Sequence, residues 1–412
     1  MTTDHRFQHR RSPGSPTSCI DLFAGAGGLA EGFRQAGYAI LAANDLDARA
    51  AATFKHNFPD AVFFEQPIAH LRGSELRAAT GLSQGQLDCL IGGPPCQSFS
   101  YNNHERSRRK ARARLFWDYL RIVDALEPRC LVMENVPGIL TVGGGAVMDD
   151  IYEGLSELGY ECEGRILYAE DYGVPQERRR VFFVATRLGW EDALFPHGSA
   201  GPVEKPSVAA NPYVHRWERG LGEPYTRPPG IWAAIGDLPA LGNAEGEDVA
   251  RYTRSPRTRY QRLMRGEQEE LFNHVAPALS AKMLRRIGYV PEGGNWLDIP
   301  RRLLPAGMKR ARKSDHTKRY GRLAKRGRCC TVLTKCDPHW GSYVHPEDDR
   351  AITVREAARL QSFPDHFRFI GPRSLQAAQV GNAVPPLMAT AVARAVRAHI
   401  KRNGRQAHTR AA

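Results

Sequence analysis

The chain has 412 residues with ordinary apolar (42%) and charged (25%) content, which excludes a disordered or collagen-like protein. It carries 58 Lys and Arg against 44 Asp and Glu, and the net charge of +14 points to an anionic partner, most often nucleic acid. No apolar run approaches the ~20 residues that span a bilayer, and the polar start Met1–Pro16 lacks a secretory core, so a cytoplasmic protein is expected.

Residues 1–17, rich in Arg, Ser and Pro, read as a disordered basic arm. From Ser18 onward, short apolar runs alternate with helical periodicity. Strands are expected at Cys19–Phe23, Ala39–Ala43, Leu87–Ile91, Cys130–Met133 and Val181–Ala185. Helices are expected at Ala30–Ala36, Ala48–His56, Leu115–Leu126 and Val147–Leu158. Runs that short and that apolar fit strands buried on both faces, and the alternation predicts a doubly wound, mostly parallel α/β sheet over residues 18–190. Residues 191–351 are rich in Pro, Gly and Arg and lose that rhythm; they read as one inserted, smaller and irregular domain. The rhythm returns at Thr353–Leu360 and Pro386–Ile400, so residues 352–400 are expected to complete the α/β domain, with 401–412 as a basic tail. The eight cysteines are scattered, several inside apolar runs, which suits reduced thiols rather than a disulfide framework.

Asp21-Leu22-Phe23-Ala24-Gly25-Ala26-Gly27-Gly28-Leu29 follows the first strand and opens a helix. Glycines there permit a tight turn and close approach of a ligand to the helix start. Asp45 lies 20 residues after Gly25, at the end of the second strand, where an acid grips a ribose hydroxyl. NAD and S-adenosylmethionine both satisfy this pattern.

Gly92-Gly93-Pro94-Pro95-Cys96-Gln97-Ser98-Phe99-Ser100 closes the strand Leu87–Ile91, at the edge where open α/β sheets place ligands. Two glycines and two prolines set an unusual backbone that presents one thiol, the strongest side-chain nucleophile near neutral pH. A core cysteine has no need of such a frame.

These two segments, with Glu134-Asn135-Val136, Gln176-Glu177-Arg178-Arg179-Arg180, Arg355–Pro364 and Gln379–Pro385, stand in the order seen in DNA (cytosine-5) methyltransferases, and the chain resembles that family over residues 18–186 and 352–398. The resemblance implies a Rossmann-like S-adenosylmethionine-dependent methyltransferase fold. It implies methyl transfer from S-adenosyl-L-methionine to carbon 5 of a flipped-out cytosine in double-stranded DNA. Cys96 would be the nucleophile at carbon 6 and Glu134 the donor to ring nitrogen 3. Arg180 would orient the base, with Arg178 in support. Cofactor contacts are expected from Phe23, Ala24, Gly25, Gly27, Asp45, Leu46, Ile68, Pro94, Leu115, Asn382, Ala383 and Val384. The family often has an acid before the equivalent of Ile68, for the adenine amino group. Here Pro67 stands there, and a backbone carbonyl is expected to substitute.

Residues 97–114 suit a loop that closes over the flipped base, with Gln97, Ser98, Ser100 and Arg109 as DNA contacts. Arg301–Arg328, net +11, reads as a phosphate-tracking surface of the inserted region, with Lys318, Arg319 and Thr334 as further contacts. Cys329, Cys330, Cys336, His339 and His345 lack zinc-ligand spacing, so no metal is expected. The protein is expected to act as a monomer, with a restriction endonuclease as a functional partner. The competing readings are an NAD-dependent oxidoreductase, a catalytically silent DNA-binding protein and a related enzyme acting on transfer RNA.

Overall fold

Thr17–Leu22 is buried along its whole length and forms β1, an interior strand of a seven-stranded sheet. The computed structural model describes residues 16–95, 114–198 and 227–409. In chain order the first half continues with α1 (Gly28–Gln35), β2 (Tyr38–Asp45), α2 (Ala48–Asn57), β3 (Val62–Glu65), α3 (Gly73–Thr80) and β4 (Cys89–Gly92). It ends with α4 (Arg114–Leu126), β5 (Cys130–Asn135), α5 (Ala146–Glu157), β6 (Glu161–Tyr168), β7 (Gln176–Glu177) and β8 (Arg179–Thr186). The central sheet has the order β3-β2-β1-β4-β5-β8-β6, and β8 runs antiparallel to both its neighbours while the other pairs flanking β1 are parallel. The expected doubly wound, mostly parallel α/β architecture is therefore present.

That order places a switch point between β1 and β4. From β1 the chain winds outward through β2 and β3, then returns to lay β4 and β5 on the other side. A crevice opens beyond the carboxyl ends of β1 and β4, where such sheets bind ligands. The register pairs Leu22 with Gly92. The glycine-rich turn after β1 and the Gly93-Pro94-Pro95 turn after β4 thus leave the sheet side by side.

Of the longer elements in the first half, β3, α3 and β6 escaped the sequence reading. Strands β3 and β6 are the two sheet edges, and each is only partly buried. An edge strand needs no continuous apolar run, so Glu161, Glu163 and Arg165 disguised β6.

The second half supplies α6 (Ile231–Ile235), β9 (Gly246–Arg251), α7 (Arg259–Arg265), β10 (Glu270–Val275), α8 (Ala281–Ile287), β11 (Cys329–Cys330), α9 (Val354–Leu360), α10 (Arg373–Asn382) and α11 (Pro386–Thr409). Helix α11 lies against α1: Tyr38 Oη donates to Ala393 O at 3.2 Å and Thr390 Oγ1 to Gly32 O at 3.1 Å. A Cβ on Gly32 would strike Ala389, so the contact depends on small residues on both helices. The C-terminal residues therefore bury the face of the first helix.

Residues 227–350 do not share one core. Ile231, Ile235, Tyr260, Met264 and Leu271 pack in the same cluster as Phe33, Leu360 and Val392. A separate small core gathers Ile287, Trp296, Ile299, Met308, Tyr320 and Val344. The first group is tied to α9 by Arg359, which is fully buried. Its guanidinium donates to Asp237 at 2.5 Å, Asp365 at 2.6 Å and Ala234 O at 2.9 Å. Among the described residues, no helix is long and apolar enough to cross a membrane.

Candidate active site

The crevice at the switch point is a cavity of about 740 Å³, inside the range of small-molecule and cofactor sites. One wall is the turn after β1. Phe23 adopts a left-handed backbone (φ 56°), a conformation that costs about 1–3 kcal/mol for a side chain this bulky. Gly25 follows at φ 53°, and a Cβ there would meet nothing within 4 Å, so its backbone faces open cavity. Asp45, from the end of β2, accepts from Gly25 N at 2.7 Å and from Asp47 N at 2.8 Å. Its carboxylate is thereby fixed at the cavity rim beside Leu46, whose side chain is left exposed. Asp21 also lines the cavity, is buried, and has an Oδ2 without a hydrogen-bond partner among the described residues. Burial, followed by the nearby Asp45 charge, pushes its pKa up.

The opposite wall comes from the far end of the chain. Asn382, Ala383 and Val384 line the cavity where α10 stops. Arg178 holds that stop in place from beneath. It is almost wholly buried and donates to Gly381 O at 2.8 Å, Ala383 O at 2.9 Å and Val332 O at 3.1 Å. Gln361 Nε2 adds a bond to Ala383 O at 2.6 Å. Gly381 itself is pressed against the chain at Leu333, where a Cβ would come to 2.5 Å from Leu333 O and 2.6 Å from Thr334 N. Gly381→Ala is expected to destabilise the protein by about 1–3 kcal/mol, as overpacking does, measured as a lower urea midpoint.

The catalytic end of the cavity lies past β4 and β5. Glu134, near the end of β5, receives the Arg180 Nε donor at 2.6 Å, and the two side chains are 13% and 11% exposed. A Cβ on Gly93 would sit 3.3 Å from Glu134 Oε2, so the glycine lets the turn after β4 close against this carboxyl. Asn135 Nδ2 donates to Pro94 O at 2.8 Å and anchors the same turn. Burial pushes the Glu134 pKa up, and the positive charges of Arg180 and Arg178 oppose that shift. The arrangement is a carboxyl whose pKa burial raises, bonded by a guanidinium and packed against the turn after β4.

The structure thus brings together Phe23, Ala24, Gly25, Asp45, Leu46, Ile68, Pro94, Leu115, Glu134, Arg180, Asn382, Ala383 and Val384 around one cavity. Cys96, Gln97, Ser98, Ser100 and Arg109 lie outside the described residues, with the rest of 96–113. Two expectations need correction. Gly27 does not line the cavity; its left-handed backbone (φ 95°) faces Phe54 and Phe58 of the neighbouring helix end, where a Cβ would clash at 2.7 Å. Arg178 supports no carboxyl directly, because its hydrogen bonds go to backbone carbonyls. Near Pro67, Phe64 O and Gln66 O accept from Asn44 at 2.8 Å and Pro67 O from His70 N at 2.9 Å, which leaves each carbonyl a second lone pair. Gln66 lines the cavity beside Pro67.

One member of the basic run leaves that surface. Arg322 is buried and donates to Val290 O, Ile287 O and His345 O, so it builds the small core rather than meeting a partner. Lys318 and Thr334 are exposed as expected, and Arg319 is half-buried against Trp340. Asn44, Asn135 and Gln361 were missed as positioning residues. Asn135 and Gln361 stand inside the matching motifs, yet a motif does not say that a side chain works on backbone.

The profile of the family described as C-5 cytosine-specific DNA methylase matches residues 17–398. The Type II methyltransferase M.AgeI of Thalassovita gelatinovora is 35% identical, the alignment covering 92% of this chain and 99% of that protein. The Type II methyltransferase M.DdeI of Desulfomicrobium norvegicum is 33% identical, over 91% and 87%. A solved prophage-encoded protein of E. coli, described as a DNA modification methyltransferase, superposes with a TM-score of 0.70 at 24% identity, over 93% of this chain and 99% of that one, and supports the fold. With a switch-point cavity, a buried Glu–Arg pair at its end and this coverage, the chain belongs to the C-5 cytosine-specific DNA methylases and is a DNA (cytosine-5-)-methyltransferase.

Proposed function

We propose that the protein transfers a methyl group from S-adenosyl-L-methionine to carbon 5 of a flipped-out cytosine in duplex DNA, through a covalent bond between Cys96 and carbon 6. The observation that carries this reading is the Glu134–Arg180 pair, 2.6 Å apart, packed against the turn that leads into Cys96. The residues around the cavity fit the cofactor. Asp45 offers a carboxylate for ribose hydroxyls, Leu46 and Ile68 an apolar bed for adenine, and Gln66 an amide oxygen for its amino group. The open backbone of Gly25 and the unpartnered Asp21 oxygen suit the amino-acid end. Bound there, the cofactor supplies an electrophilic methyl group on a sulfonium.

The chain's own groups do the rest. The Cys96 thiolate adds to carbon 6 and raises the electron density at carbon 5, which takes the methyl group. Glu134, held protonated, donates to ring nitrogen 3 as negative charge develops on the ring. Arg180 keeps that carboxyl in place and turns its remaining donors toward the cytosine O2. A water molecule then takes the proton from carbon 5, and the electron pair left behind re-forms the ring double bond as the bond between carbon 6 and Cys96 breaks and the thiolate leaves. The target must leave the helix for any of this, and the loop 97–114 is the segment assigned to hold it.

The Type II names of the relatives support a role in a restriction–modification system. We propose further that the protein acts as a monomer on cytoplasmic DNA beside a partner endonuclease. The test is transfer of tritiated methyl from S-adenosylmethionine to mixed-sequence duplex DNA, with bisulfite sequencing to locate the product. Cys96→Ala is expected to abolish transfer and to prevent trapping on a 5-fluorocytosine duplex. Undiminished transfer by that variant would overturn the covalent route.

A further inference from the structure

Trp340 is 48% exposed, although a tryptophan gains more than most residues from burial. Its position is not loose. Trp340 N donates to Asp337 O at 2.9 Å, and His339 N to Asp337 Oδ1 at 2.7 Å, which closes a tight turn. The His339 ring stands edge-on to the indole at 5.1 Å and edge-on to Tyr320 at 5.6 Å. Tyr320 is fully buried, and its hydroxyl hydrogen-bonds His339 Nδ1 at 2.7 Å. The indole is therefore presented to solvent on a pedestal rooted in the small core.

Two cations lie over its ring. Arg319 Cζ lies 5.3 Å from a ring centroid of Trp340, and Lys335 Nζ lies 5.5 Å away. Ring electrons attract both, so the indole holds like charges close together at the surface. The same segment reaches the cavity wall. Leu333 packs against Gly381, Val332 O is held by Arg178, and Leu333 N donates to Tyr343 Oη at 2.8 Å. Residues 333–340 are thus a rigid strap from the cofactor wall to the exposed ring.

We propose that Trp340 is a stacking contact for a base of the target duplex, with Arg319 and Lys335 on the flanking phosphates. This rests on duplex DNA being the substrate. An exposed indole covered only by two long, flexible cations can take an unstacked base once those cations swing onto its phosphates, because every base has a flat face and every phosphate a charge. Removal of one base opens neighbouring bases to such a contact. The contact lies outside the Cys96 chemistry and sets how the duplex is seated.

The experiment measures methyl transfer to long mixed-sequence duplex DNA by the full chain, with Trp340→Phe, Trp340→Leu and the double variant Arg319→Ala, Lys335→Ala. Trp340→Leu is expected to raise KM for DNA about 5- to 150-fold, the range reported for loss of one base–aromatic stack, with the loss falling on KM more than kcat. Trp340→Phe keeps an aromatic face and is expected to recover most of it. The slope of log Kd against log salt should stay that of the wild type in Trp340→Leu and fall by about 2 in the double variant, roughly one per cation removed. Equal KM values for Trp340→Phe and Trp340→Leu overturn stacking, as does a KM for Trp340→Leu within twofold of wild type. Failure of the wild type to bind or methylate duplex DNA overturns the substrate reading and the proposal together, whereas wild-type transfer with an unaffected Trp340→Leu variant overturns the proposal alone.

Discussion

Glu134→Gln is expected to lower kcat for methyl transfer by about 10²–10⁴-fold, the usual contribution of a positioned general acid. A glutamine amide can still donate a hydrogen bond from the same place, but it cannot hand over a proton. Arg180 loses a carboxylate partner at 2.6 Å and gains a neutral one, so cofactor and DNA binding should change far less than kcat. The pH profile gives the sharper signature. Burial raises the Glu134 pKa, so the acid persists above the ordinary carboxylate range, and activity should fall as pH rises through the shifted value. That alkaline limb should vanish from the residual activity of Glu134→Gln, which has nothing to ionise. A variant within tenfold of wild type, or one that keeps the same limb, would remove Glu134 from the acid role.

Arg359→Met should cost stability rather than chemistry, by about 3–5 kcal/mol, because it leaves buried carboxylates without their counter-charge. Arg359 is fully buried between Asp237 and Asp365, at 2.5 Å and 2.6 Å, and joins α6 to α9. Although burial alone would raise the Asp365 carboxyl, Arg359 and then Arg355 hold it below the usual carboxylate range. A depressed folded pKa contributes stability that is complete above the unfolded value near 4 and is lost as pH falls through the folded one. In Arg359→Met the main cause of that depression is gone and burial is left to dominate. Stability should then rise, not fall, as pH is lowered from 7 toward 5. Urea unfolding at several pH values checks both the size and the reversal. A variant with a wild-type midpoint and the same pH trend would show that the network is not holding the two helices together.

Much of the site was legible because its chemistry is written in contiguous residues. Asp45 stands at a fixed distance from Gly25, and the Gly-Gly-Pro-Pro frame marks the turn after β4, whatever the rest of the chain does. What escaped was work done on backbone across long separations. Asn135 grips Pro94, Arg178 grips Gly381 and Ala383, and Gln361 grips Ala383. No spacing rule links residues 22, 41 or 203 apart in this way. Gly27 shows the opposite error: it fits the cofactor pattern, yet its left-handed turn is spent on two phenylalanines. One residue of the basic run misled for a related reason. Charge along a sequence does not tell whether a guanidinium reaches solvent, and Arg322 turns inward to satisfy the carbonyls of its own small core.

By itself the sequence determined the parallel α/β core, the order of the motifs and the family, since buried strands and tight turns impose their composition locally. The tertiary structure decided the rest. It set the last residues of the chain beside the first helix and made Arg180, rather than Arg178, the partner of Glu134. It divided residues 227–350 between the main core and a smaller one. It also turned a diffuse charge of +14 into particular cations, two of them held over one exposed indole. Each of these depends on which buried donor meets which distant carbonyl, or on which apolar face finds a neighbour. Packing settles that only once the whole chain has closed.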